Sequence, residues 1–124
     1  VFQYEARIVR IKDGDTLTIE VDLGFHIRHE IDVRLARIDT PEIVNYGANG
    51  ITDKARDYVE ACCPVGSVCI VNISRAEKYG RWLAEILFQP GQTDRKKIIE
   101  NPRVLNDELL RGGFARPYSG GRKK

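Results

Sequence analysis

"RLARIDTPE", residues 34–42, reads as the end of a β-strand running into a turn set by Pro41. Upstream of it Ile27, Ile31, Val33 and Leu35 share one parity, and Arg28, Asp32 and Arg34 share the other. Side chains alternate across a strand, so Arg34 is expected on the face opposite the core. Nine residues therefore carry two arginines, an aspartate and a glutamate to the point where a strand stops.

Earlier in the chain, residues 4–12 ("YEARIVRIK") are rich in branched side chains and read as a strand. "DGDT" at 13–16 is a turn signal, since glycine tolerates positive φ and aspartate bonds its own backbone. Beyond it Leu17, Ile19, Val21 and Leu23 alternate with polar residues, a half-buried strand, and "DLG" at 22–24 makes the next turn. Three strands with short connections form a meander. Residues 38–50 are irregular, broken by Pro41, Gly47 and Gly50. A helix is expected from Thr52, with Ile51, Ala55, Tyr58, Val59 and Cys62 on one stripe and Pro64 and Gly66 ending it. "SVCIVNIS" (67–74) is a strand expected to be buried on both faces, and "RWLAEILF" (81–88) is another. "QPGQTDRKKIIENP" (89–102) reads as a loop or extended hairpin. Asn101 and Pro102 suit the start of a last helix whose stripe is Val104, Leu105, Leu109 and Leu110, stopped by Gly112–Gly113. The order β-β-β-α-β-β-α, mainly β with helices (α+β), is that of a five-stranded OB-fold barrel. It is expected to occupy residues 1–118 as one domain, with 119–124 a disordered basic tail.

The chain has 124 residues and a net charge of +2, too small to argue nucleic-acid binding by itself. No apolar run approaches the roughly 20 residues that span a bilayer, so no membrane partner is expected. There is no secretory leader, but the chain begins at Val1 and holds no methionine, so an upstream segment is expected to have been removed. Location is left open between secreted and cytoplasmic. Cys62, Cys63 and Cys69 read as buried or half-buried thiols, which suit a reducing compartment. His26 and His29 read as surface or packing residues.

Asp15 begins one strand and Asp39 ends another. If those strands are neighbours the carboxylates converge, and two such groups repel unless a cation sits between them. With only oxygen donors on offer the ion should be hard: calcium, magnesium or manganese. The plainer alternative is two aspartates making turn hydrogen bonds. Glu42, three residues beyond Asp39, could act as a general base on water. Arg34, and Arg81 at the end of "KYGR" (78–81), offer bidentate donors to a phosphodiester. Arg37 and Asp32 read as surface charges.

"DGDT", "RLARIDTPE", "KYGR" and "LNDELLRGGFARPY" in this order resemble the thermonuclease family, the staphylococcal nuclease homologues, from about residue 5 to 118. The resemblance implies an OB-fold nuclease that needs calcium and cuts DNA and RNA at the phosphorus–O5′ bond, leaving 3′-phosphate ends. By it, Asp15, Asp39 and the Thr40 backbone carbonyl hold calcium, Glu42 is the general base, and Arg34 and Arg81 grip the scissile phosphate. Lys78 and Tyr79 match positions lining the terminal phosphate. Tyr118 lies near a position that offers an aromatic to the base, although Pro117 disturbs the local match. A monomer acting on single-stranded or frayed substrates is implied. The chain departs from the family in three ways: Glu77 stands for an aspartate, 90–102 is longer than a short turn, and a long C-terminal helix is expected to be missing after Tyr118. Two rival readings remain, a non-cutting single-strand binder and a structural interaction domain. A pure binder has no need of two metal-site acids.

Overall fold

The computed structural model describes residues 2–40, 54–76 and 80–117. Three consecutive strands, β1 (Phe2–Asp13), β2 (Thr16–Asp22) and β3 (Arg28–Leu35), form an antiparallel meander. A two-residue strand β4 (Ile38–Asp39) follows, then helix α1 (Lys54–Cys62) and strands β5 (Val68–Ala76) and β6 (Trp82–Phe88). The five long strands run β3-β2-β1-β5-β6 in the sheet, a two-residue strand (Arg103–Val104) adds beyond β6, and a parallel pairing of β3 with β6 closes the five into a barrel. Closure leaves neither β3 nor β6 as a bare edge. The fold is the expected five-stranded OB-like barrel.

Apolar side chains line the interior because the pleat sends alternate residues inward. Leu17, Ile19 and Val21 of β2 and Val33 and Leu35 of β3 are buried. In β1 the parity changes: Ala6 and Ile8 point inward, and so does Ile11, three positions on. A register shift between Ile8 and Arg10 accounts for this. One extra residue restores the hydrophobic face and sharpens the strand's bend.

Two helices cover the barrel. Ala55, Val59 and Cys62 of α1 enter the main core. So do Leu105 and Leu109 of the last helix (Leu105–Arg111). The Tyr58 hydroxyl donates to Glu108 at 2.7 Å, and Arg103 donates to both Glu108 oxygens at 2.6 and 2.7 Å, tying the two helices together. Ile51 and Thr52 lie outside the described residues. The cysteines are free thiols, all buried, and burial pushes Cys69 up to about 12.

Three expectations need correction. Residues 89–102 are not a plain loop: Arg95–Glu100 form a helix, α2, whose N-cap Asp94 accepts from the Lys96 N–H at 2.9 Å. With one buried residue, Ile98, it is too short to show helical periodicity. Ile98 packs on Val68 and Ile70 of β5 and Leu87 of β6, on the outer side of the barrel, which explains why β5 is apolar on both faces. Secondly, Asn101 caps the end of α2 instead of starting the last helix. After strand β7 (Arg103–Val104), helix α3 begins at Leu105 and stops, as expected, at Gly112. Thirdly, Leu23 and Ile27 do not continue the core alternation but are 44% and 54% exposed. The hairpin opens there into a turn in which Gly24, Phe25 and His26 all have positive φ. His26 and His29 are both exposed.

Candidate catalytic site

Two turns meet under the N-terminal end of α1. Gly14 has no room for a side chain: a Cβ would stand 2.5 Å from Ala55 Cβ and 3.1 Å from Thr40 Cγ2 and Oγ1. This close approach sets Asp15 against Thr40. The Asp15 backbone N–H donates to Asp13 Oδ1 at 3.2 Å, a local turn bond, and its carbonyl accepts from the Leu35 N–H at 2.8 Å. Its carboxylate accepts from the Thr40 N–H at 3.3 Å and from the Thr16 hydroxyl at 3.2 Å.

Arg34 is the register partner of Thr16. Its Nη2 lies 3.5 Å from Asp15 Oδ2 and 3.2 Å from Asp39 Oδ1. One guanidinium thus joins the two carboxylates expected to converge. All three side chains are largely shielded, with 11% of Arg34, 13% of Asp15 and 4% of Asp39 exposed. Burial alone would favour neutral Asp15. Hydrogen bonds from Asp13, Thr40 and Thr16 and the charge of Arg34 outweigh it and hold the group below the usual carboxylate range. Asp13 is pushed the other way, to about 6, by partial burial and then by its bond to and charge repulsion from Asp15. As pH falls, Asp13 is therefore the first of the two to take a proton, and Asp15 keeps its charge longer.

Arg81 follows Gly80, whose φ of +84° suits a residue with no Cβ. Its Nη1 donates to Thr16 Oγ1 at 3.3 Å, one residue from Asp15. The parallel seam sets Arg34 opposite Leu83, so Arg34 lies in one of the strands that close the barrel and Arg81 directly precedes the other.

Asp39 is not the continuation of β3, which stops at Leu35. The chain turns through Arg37, at φ +69°, before β4 begins. That strand pairs with β8 (Arg116–Pro117), Asp39 opposite Arg116. The turn has two supports. Arg37 pairs with Glu85, and with Asp107 at 3.6 Å. Fully buried Asn106 donates to the carbonyls of Ala36 and Ala84, both at 3.0 Å, and accepts from the Ile86 N–H at 3.1 Å. Arg37 is therefore no idle surface charge. Asp32 also has partners, Lys12 at 2.8 Å and the Thr18 hydroxyl at 2.7 Å.

Asp15, Arg34, Asp39, Thr40 and Arg81 are thus brought together, while Glu42, Lys78, Tyr79 and Tyr118 lie outside the described residues. Two residues escaped the sequence reading. Asn106 stands beside the apolar stripe of α3, and a polar residue there is a signal of a buried hydrogen-bonding role. Arg116 lies within the quoted "FARPY", but its pairing with Asp39 depends on β8 returning to β4. Among the described residues no group of three or more His, Cys, Asp or Glu is placed to hold a metal. The two carboxylates fit a hard cation, being buried oxygen donors with no histidine or cysteine grouped with them among the described residues.

A family model described as "Staphylococcal nuclease homologue" matches residues 32–124. An uncharacterized protein of Methanocaldococcus jannaschii is 32% identical over a 136-residue alignment that covers 93% of this chain. The chain spans 59% of the length of that curated relative.

Proposed function

The chain belongs to the staphylococcal nuclease homologues, and from that premise we propose that it is a calcium-dependent phosphodiesterase acting on DNA and RNA. The observation that carries the reading is the Arg34 guanidinium joined to both Asp15 and Asp39, with Arg81 one residue away at Thr16. Isolated surface aspartates would not sit buried around one arginine.

In this reading Asp15, Asp39 and the Thr40 carbonyl hold calcium, which when bound supplies positive charge against the phosphate. Arg34 and Arg81 bind the non-bridging oxygens, where bidentate donors match the planar geometry and the growing negative charge. Glu42 takes the proton of the attacking water. The water oxygen bonds to phosphorus, the phosphorus–O5′ bond breaks, and the departing 5′-oxygen is protonated from solvent. The products carry 3′-phosphate and 5′-hydroxyl ends. Lys78 and Tyr79 line the terminal phosphate and Tyr118 the base. The enzyme acts as a monomer on single-stranded or frayed substrates.

Incubation with plasmid and single-stranded DNA, in calcium and after chelation, tests the proposal. Cleavage in calcium, lost on chelation and poorly restored by magnesium, is expected, because magnesium demands a near-ideal octahedron whereas calcium accepts few irregular ligands. Binding without cleavage in calcium would return the single-strand binder as the better reading.

A further inference from the structure

We propose that Arg116 forms a phosphate subsite for the nucleotide next to the scissile bond, a third guanidinium at the rim of the site. The inference rests on the nuclease reading. Arg116 and Asp39 are register partners across the β4–β8 pair, so their side chains share a face. Asp39 stands between two arginines: Arg34 Nη2 is 3.2 Å from its Oδ1, and Arg116 Nε is 3.5 Å from its Oδ2. The two differ in exposure. Arg34 is 11% exposed and belongs to the interior of the site, whereas Arg116 is 67% exposed. Its Nε faces the carboxylate, and most of the fork stays open to solvent.

Stability does not explain Arg116, since an ion pair with so exposed a partner contributes little. A guanidinium with its Nε 3.5 Å from the Asp39 carboxylate and most of its surface in solvent can turn its far end to a bidentate phosphate. The scissile phosphate belongs to Arg34 and Arg81. Arg116 lies on the other side of the Asp39 carboxylate and so meets the neighbouring phosphate of the same strand. It is a substrate-binding residue, and longer strands should use it most.

The test compares the wild-type protein with Arg116→Gln and Arg116→Lys, after a melt shows that all three fold alike. Binding of a fluorescent single-stranded oligonucleotide is first measured without metal over a range of salt. Loss of one phosphate contact should reduce the slope of log K against log salt by about 0.7 for Arg116→Gln. In calcium, KM for a long single strand should rise about tenfold more than KM for a substrate with one phosphodiester, the worth of a charge-assisted contact. Arg116→Lys should keep the salt slope, because the charge remains, and recover only part of the KM. An unchanged slope with an equal fall in kcat on both substrates would overturn the proposal, because Arg116 would then only hold Asp39. A wild-type protein that neither binds nor cuts any strand would bring down the nuclease reading itself, and this subsite with it.

Discussion

The two ends of strand β2 are built on opposite terms. At Thr16 the chain enters from a turn with no free space, where a Cβ on Gly14 would crowd Ala55 and Thr40. The charged residue there, Asp15, is buried. Past Asp22 the chain leaves through a turn where a Cβ on Gly24 would meet nothing within 4 Å, and the apolar Phe25 is 94% exposed. A polar group is inside at one end and an apolar one outside at the other, so both ends defy simple patterning. The cover decides. Helix α1 and the segment at Thr40 close over the first turn, while no described element packs over the second. Burial of charge is tolerated at the covered end because Arg34, Thr16 and Thr40 all bond or pair with Asp15.

The largest effect should come from the covered end. Arg81→Lys keeps the charge but loses the fork, so its donors no longer match two phosphate oxygens. A drop in kcat of about 10²–10³, with a smaller change in KM, is expected for the loss of a transition-state donor pair. Steady-state kinetics on a short single strand, with a melt of both proteins alongside, checks it. Normal kcat would remove Arg81 from the chemistry and leave Arg34 as the phosphate clamp.

Gly14→Ala should come next. The new methyl would overlap Ala55 Cβ at 2.5 Å, so α1 or the turn must move, at a cost of about 1–3 kcal/mol. Urea unfolding should show the loss, and activity should fall with it because Asp15 follows directly. A mutant with wild-type stability would mean that the covered end is looser than its geometry says.

The open end should respond least, and in the other direction. Phe25 holds a φ of +57°, a conformation that costs a side-chain-bearing residue about 1–2 kcal/mol. Phe25→Gly relieves that strain but also frees the unfolded chain, leaving a net gain of a few tenths to about 1 kcal/mol. A slightly higher melting temperature with unaltered cleavage is expected. A clear loss of stability would show that Phe25 is held by something at this turn and that the two ends are less different than they look.

The alternation that makes β2 and β3, the parity that turns Arg34 away from the core, the stop at Gly112–Gly113, and the chemistry on offer at Asp15, Asp39 and Arg81 are all legible in short windows of the chain. These are local properties: a pleat of period two, a backbone needing glycine, a side chain's charge. The rest depends on contacts between distant parts of the chain. The bulge that returns Ile11 to the interior exists because β1 must bend between two partners. Helix α2 exists because Val68, Ile70 and Leu87 needed a cover on the outside of the barrel, a need visible in none of its own six residues. Asn106 binds Ala36, Ala84 and Ile86 from 20 or more positions away, and Arg116 meets Asp39 through two strands of two residues each. Each is a long-range pairing, and its partner is chosen by how the barrel closes, which no short window of sequence contains.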